Sequence, residues 1–153
     1  MGALWLVCDV SGSMVEAGKR FIASGLVREI ELYVHLGYGG DRDIELIAWR
    51  DVPTRVEWSV QDEVPTALFE CHGSSDAGAL VRFLEVEADE DDRVAVITDG
   101  FWTEESRAAI DRWRDGGKLR IFTIGADANP RLKGAEVFDV EDFFAAMDGW
   151  LDE

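Results

Sequence analysis

The sequence predicts an α/β fold: a doubly wound, mostly parallel sheet of six strands, with one antiparallel edge strand and helices on both faces. Three observations predict it. Apolar runs such as Ala3 to Cys8 are continuous rather than alternating, as in central strands covered on both sides. Segments with helical apolar spacing separate the runs, and strands alternating with helices build a parallel sheet. The connector Asp51-Val-Pro53 is too short for a parallel crossover, so the pair it joins must be an antiparallel hairpin.

Taken in order, Ala3-Leu-Trp-Leu-Val-Cys8 is the first, central strand. From Glu16 to Leu36 the residues Phe21, Ile22, Leu26, Val27, Ile30, Tyr33 and Val34 recur at helical spacing, and Gly37-Tyr-Gly-Gly40 ends that helix. Ile44 to Arg50 reads as a strand. Thr54 to Val60 reads as another, with Val56, Trp58 and Val60 alternating against Arg55, Glu57 and Ser59, the pattern of an edge. Asp76 to Val86 fits a helix with Leu80, Phe83 and Leu84 on one face. The acidic run Glu87 to Asp92 reads as a solvated loop, since a calcium loop needs a more regular ligand spacing. Arg93 to Thr98 is a buried strand ending at Asp99. Thr103 to Arg114 is a helix, with Thr103, Glu105 and Ser106 forming its start and Gly116-Gly117 its stop. Leu119 to Ile124 is a strand, Ala135 to Val140 a short one, and Glu141 to Leu151 a closing helix.

Length and charge narrow the function. The 153 residues suit a single domain over 1–153. A chain of this size buries roughly 70% of its unfolded surface and needs no metal or disulfide to fold. Fifteen basic residues against 32 acidic ones give a net charge of −17. That argues against nucleic acid as a partner, because phosphate contacts need Lys and Arg, and against docking on anionic lipid. The first apolar run is too short to span a bilayer and lacks the basic start of a secretory signal. Cys8 and Cys71 show no CxxC spacing, and Cys8 reads as a small buried hydrophobe. A cytoplasmic protein is the plain expectation.

In a doubly wound sheet, ligands bind beyond the carboxyl ends of the strands where strand order reverses. Two strands finish on an aspartate, Asp9 and Asp99, each followed by a short Gly-containing segment: Asp9-Val-Ser-Gly-Ser13 and Asp99-Gly100. If the strands are neighbours, two carboxylates converge with the hydroxyls of Ser11 and Ser13. An all-oxygen set suits a hard cation (Mg²⁺, with Mn²⁺ or Ca²⁺ as alternatives) rather than Zn²⁺. Two close carboxylates repel unless a cation lies between them.

Asp9-Val-Ser-Gly-Ser-Met14 after an apolar strand resembles the DxSxS signature of von Willebrand factor A domains, where it forms the metal-ion-dependent adhesion site. His72-Gly-Ser-Ser-Asp76 resembles the family loop that carries a metal-binding threonine. Val96-Ile-Thr-Asp-Gly100 resembles the strand end that supplies the last aspartate, and Arg120-Ile-Phe-Thr-Ile-Gly125 the fifth strand. The resemblance covers essentially the whole chain. It implies Ser11 and Ser13 as direct hydroxyl ligands, and Asp9 and Asp99 as ligands directly or through water. Ser75 stands where the family has threonine, with Ser74 as the alternative; Ser75 also reads as a cap of the following helix. The segment between Gly125 and Ala135 is short for the helix common there.

The resemblance further implies metal-dependent protein recognition, with a Glu or Asp of the partner completing the ion's coordination. Met14 and Val15 follow the first motif and Phe101 and Trp102 the second, placing apolar bulk around that anchor; Met14, Phe101 and Trp102 would form its rim, unless the two aromatic residues pack beneath the loop. The expected role is an intracellular adaptor and not an enzyme, with AAA+ ATPases or stress and conflict assemblies as the partner class. Two other readings stand beside it. A haloacid-dehalogenase phosphatase would use Asp9 as nucleophile, but Ser11 occupies the position of its general acid and the order of Asp99 and Lys118 is reversed. No GxSxG elbow is present, and His72 reads as a loop residue. The third reading is a structural subunit with a vestigial metal site.

Overall fold

The computed structural model describes residues 2–38, 42–59, 62–100, 108, 110–111, 113, 117–125, 128–132, 134 and 136–152. Strands β1 (Leu4–Asp9), β2 (Ile44–Trp49), β3 (Pro53–Val56), β4 (Arg93–Thr98), β5 (Leu119–Thr123) and β6 (Val137–Asp139) form one sheet in the order β3-β2-β1-β4-β5-β6. Only β2 and β3 pair antiparallel; the other neighbours run parallel. From β1 the chain winds outward through β2 to β3, then returns to the other flank of β1 as β4. The order therefore reverses between β1 and β4, where a doubly wound sheet opens its crevice.

Successive side chains of the central strands enter different cores. Leu4, Leu6 and Cys8 join Leu46, Ala48, Ala95, Ile97 and Phe122 on the face covered by α1 (Lys19–His35) and α3 (Phe143–Met147). Trp5 and Val7 join Ile47, Trp49, Val94, Val96 and Ile121 beneath α2 (Ala77–Glu87). Each fully buried Leu, Val or Ile contributes about 1.5–3 kcal/mol. Two-sided burial explains why the runs read as continuously apolar. Cys8 is buried as expected, and burial pushes its thiol far above the usual range.

Element boundaries shift where local turns outcompete periodicity. The first helix begins at Lys19 rather than Glu16, after a 3-10 turn over Gly12–Gly18 in which Ala17 and Gly18 take φ of 52° and 72°. β3 ends at Val56 instead of Val60. A turn captures the residues that follow: Asp62 N–H donates to Ser59 O, and Ser59 N–H and Trp58 Nε1 donate to Asp62 Oδ2 and O. The closing helix is broken into α3 and flanking 3-10 turns, with Gly149 at φ 74°.

The acidic run is not wholly a solvated loop. Glu87 belongs to α2, and Asp92 is 5% exposed because its carboxylate accepts from Ala3 N, Trp5 Nε1 and Asp89 N. Burial raises the Asp92 pKa, but these hydrogen bonds and the nearby Arg42 outweigh it and hold the carboxyl below its ordinary range. The expected helix from Thr103 to Arg114 lies largely outside the described residues, though Ala108, Ile110, Asp111 and Trp113 are helical. Residues 128–132 form turns rather than a helix.

Candidate metal centre

Asp9 ends β1 and is 2% exposed. Its Oδ1 accepts from Ser11 N–H at 2.9 Å, which bends the chain into the turn that follows. Its Oδ2 accepts from Thr98 Oγ1 on neighbouring β4 at 2.6 Å, a short charge-assisted bond. Thr98 Oγ1 in turn accepts from Gly100 N–H at 2.9 Å. Two strands thus fix one carboxylate. Burial drives the Asp9 pKa upward; bonds from Ser11 and Thr98 oppose this, and the charge of Asp99 adds to it.

The register Cys8↔Ile97 puts Asp99 just beyond the end of the strand beside Asp9. Asp99 is fully buried. Its loop is clamped by Asn129, whose N–H donates to Asp99 O at 2.9 Å and whose Nδ2 donates to Gly100 O at 3.0 Å. Gly100 has φ 81°, and a Cβ there would meet Leu132 Cδ2 at 2.7 Å, so this turn requires glycine.

Ser11 and Ser13 hold their hydroxyls 3.4 Å apart, Ser11 buried and Ser13 half-buried. The loop carrying Ser75 is stitched to this turn: His72 N–H donates to Val10 O at 2.9 Å, and Gly12 N–H to Gly73 O at 2.8 Å. On its far side, Asp76 N–H donates to Arg50 O and Trp49 Nε1 to Asp76 O. Asp76, not Ser75, caps α2 by accepting from Ala79 N–H. Ser75 is buried, and its Oγ has no hydrogen-bond partner among the described residues, whereas Ser74 is exposed. A buried hydroxyl without a partner costs roughly 1–3 kcal/mol, a penalty that a cation would relieve.

Five oxygen-bearing side chains from three separate segments therefore belong to one end of the sheet. Among the described residues no three His, Cys, Asp or Glu side chains cluster, so any metal here would rely on hydroxyls beside the two carboxylates. The donor chemistry fits a hard divalent ion, and the orphaned Ser75 Oγ fits one further ligand.

Met14 is fully buried in the core under α1, so it supports the turn from below and presents nothing to a partner. Val15, the other apolar residue expected after the first motif, does reach solvent and is 43% exposed. Phe101 and Trp102 lie outside the described residues.

Sequence reasoning missed Thr98, Asn129 and Lys19. Thr98 and Asn129 orient the two aspartates. Lys19, at the start of α1, sends Nζ to 3.2 Å from Asp99 Oδ2, with exposures of 1% and 0%. A Gly-Lys-Arg sequence at the start of a helix carries no signal that separates such a lysine from a surface one.

Three solved structures illustrate the likeness. Manganese-loaded TRAP protein of Plasmodium vivax superposes with a TM-score of 0.67 at 14% identity, covering 99% of this chain and 73% of that one. A von Willebrand factor type A protein from Catenulispora acidiphila gives 0.62 at 16% identity, covering 98% and 42%. Proximal thread matrix protein 1 from the mussel byssus, with a zinc-occupied MIDAS motif, gives 0.55 at 14% identity, covering 98% and 44%. The chain spans less than half the length of the last two. No protein-family model and no curated protein matches it. This chain has the von Willebrand factor type A fold.

Proposed function

We propose that the chain is a metal-dependent protein-recognition module. Asp9, Ser11, Ser13, Ser75 and Asp99 would hold a divalent cation, most naturally Mg²⁺, and a partner's Glu or Asp would complete its coordination. The observation that carries this reading is the buried, unpartnered Ser75 Oγ on a loop stitched to the turn of Ser11 and Ser13. The bound ion would supply a fixed positive charge to an acidic side chain. Manganese and zinc in two neighbours of the same fold support a divalent ion here.

The partner's carboxylate would sit within a neutral or basic surface, because a chain of net charge −17 repels acidic surfaces at long range. Screening over about 8 Å at physiological ionic strength leaves the local ion in control at contact. We place the module in the cytoplasm as an adaptor without catalytic activity, with AAA+ ATPases among the partner classes to test. No described helix is long and apolar enough to cross a membrane.

Calorimetric titration of chelator-stripped protein with Mg²⁺ and Mn²⁺ tests the reading. Binding that Asp9→Ala abolishes supports it, and no binding to either ion favours the vestigial site. Partners captured with Mg²⁺ should be lost from Asp9→Ala; retention would mean that recognition uses another surface. Turnover of a phosphate ester that depends on Asp9 would replace the adaptor with the phosphatase.

A further inference from the structure

We propose that the groove between α1 and α3 is a second docking surface, shaped to receive a basic amphipathic helix of a partner protein. No residue of the metal set lines it, so the inference stands apart from the metal-dependent reading above.

α1 carries more apolar positions than the core uses. Leu26, Ile30 and Val34 are buried, while Ile22, Gly25, Glu29, Leu32 and Leu36 follow one another at spacings of three and four and lie exposed along one face. Phe143 and Phe144 of α3 form the opposite wall. Two hollows, of about 470 and 280 Å³, share Glu29 and these two phenylalanines and so join into one groove. Five of the nine large apolar side chains that reach solvent among the described residues line it: Ile22, Leu32, Leu36, Tyr38 and Phe144. Scattered exposed hydrophobics need no explanation, but a contiguous strip marks an interaction surface. Its aromatic end is packed in advance. Tyr33 stacks on Tyr38 at 5.1 Å between centroids, and Phe143 meets Tyr33 at 5.6 Å and Phe144 at 4.9 Å, yet Phe144 is 72% exposed. Gly25 adds depth: a Cβ there would meet nothing within 4 Å, so this mid-helix glycine answers no crowding inside the fold.

Backbone chemistry, length and charge choose the occupant. The walls are side chains of helical turns, which offer no open row of backbone groups to an extended strand; a helix brings its own hydrogen bonds. At about 1.5 Å per residue, the strip from Ile22 to Leu36 runs about 21 Å, roughly four turns of a partner helix. Glu29 and Glu141 both line the groove and are exposed, Asp142 beside them is exposed, and no Lys or Arg lines it among the described residues. A helix with Lys and Arg flanking an apolar stripe sets its charges against these carboxylates and lays its methylene stems on the apolar margin. The same carboxylates disfavour a second copy of the chain, because a two-fold contact here would bring two acidic margins together.

The probe is a labelled peptide of about 16 residues made of leucine and lysine, with leucines at helical spacing. Its anisotropy is read against the chain in chelator, so failure of the metal reading leaves the outcome untouched. Two comparison peptides accompany it, a scramble of the same composition and a twin with Glu for Lys. Wild type should bind the basic amphipathic peptide at least tenfold more tightly than either, and the peptide should gain helical circular dichroism on binding. Gly25→Gln and Phe144→Ser should each weaken binding about tenfold. Glutamine is the better helix former, so Gly25→Gln should melt no lower than wild type and keeps the test valid if Phe144→Ser does not fold. Glu29→Lys with Glu141→Lys should weaken binding far more than the same reversal at exposed Glu57 and Glu63, which lie outside the groove. No preference for the amphipathic peptide over its scramble overturns the proposal, as do groove variants that bind like wild type. Equal effects of the two charge reversals overturn the basic partner. Self-association lost in Phe144→Ser, with no displacement by the peptide, overturns it in favour of a second copy.

Discussion

Ser75 and Asp92 are both buried polar residues, yet substitution should act on them in opposite ways. Ser75→Ala removes a hydroxyl without a described partner, so the chelated protein should melt no lower than wild type, while Mg²⁺ affinity falls. Melting curves with and without Mg²⁺ separate the two effects; a lower melting point in chelator would show that the hydroxyl is satisfied within the fold. Asp92 instead accepts three hydrogen bonds that tie residues 3 and 5 to the end of α2. Asp92→Asn should cost about 1–3 kcal/mol at neutral pH. The folded carboxyl lies below its ordinary range, so its contribution is complete above the unfolded pKa, near 4, and disappears as pH falls through the folded value. Denaturant midpoints of wild type and variant should therefore converge in acid. A gap independent of pH would mean that shape, not charge, is what the variant loses.

At the scale of elements, the entry to α1 invites a direct test. Ala17 at φ 52° pays for the turn that aims Lys19 inward, and Ala17→Gly should stabilise the chain by about 0.5–1 kcal/mol in urea unfolding. A loss of stability would mean that the methyl group contributes packing. The same turn shows what could be read from sequence. Ala3 to Cys8 and Arg93 to Thr98 announced buried strands because both of their faces are covered, and Asp51-Val-Pro53 announced the hairpin because no crossover fits in so few residues. The ends were harder to see. Asp62 draws residues 58 and 59 out of the sheet, and Gly149 splits the last helix; both effects depend on turn geometry rather than apolar spacing. Asp9, Ser11, Ser13 and Asp99 stood out because strand ends and motif coincide. Lys19 did not, since the Asp99 that it meets lies 80 residues further along the chain. Met14 looked the same whether it faced the core or solvent.

For the molecule as a whole, the metal should act as a ligand of the folded state alone. Mg²⁺ at a hundredfold excess over its dissociation constant should add about 2.7 kcal/mol. That corresponds to a rise in melting temperature of about 5–10 °C for a chain of this size, reversed by chelator and absent in Asp9→Ala. Scanning fluorimetry across a Mg²⁺ series reads this directly, and a flat response would count against the site. The two margins of the sheet carry a separate consequence. β3 has four residues and β6 only three, so an incoming strand would find few open backbone groups to grip. Copies of this domain crowded along a larger scaffold should stay individually folded and resist merging into fibres, leaving the loop-bearing end of each one available for its own contact.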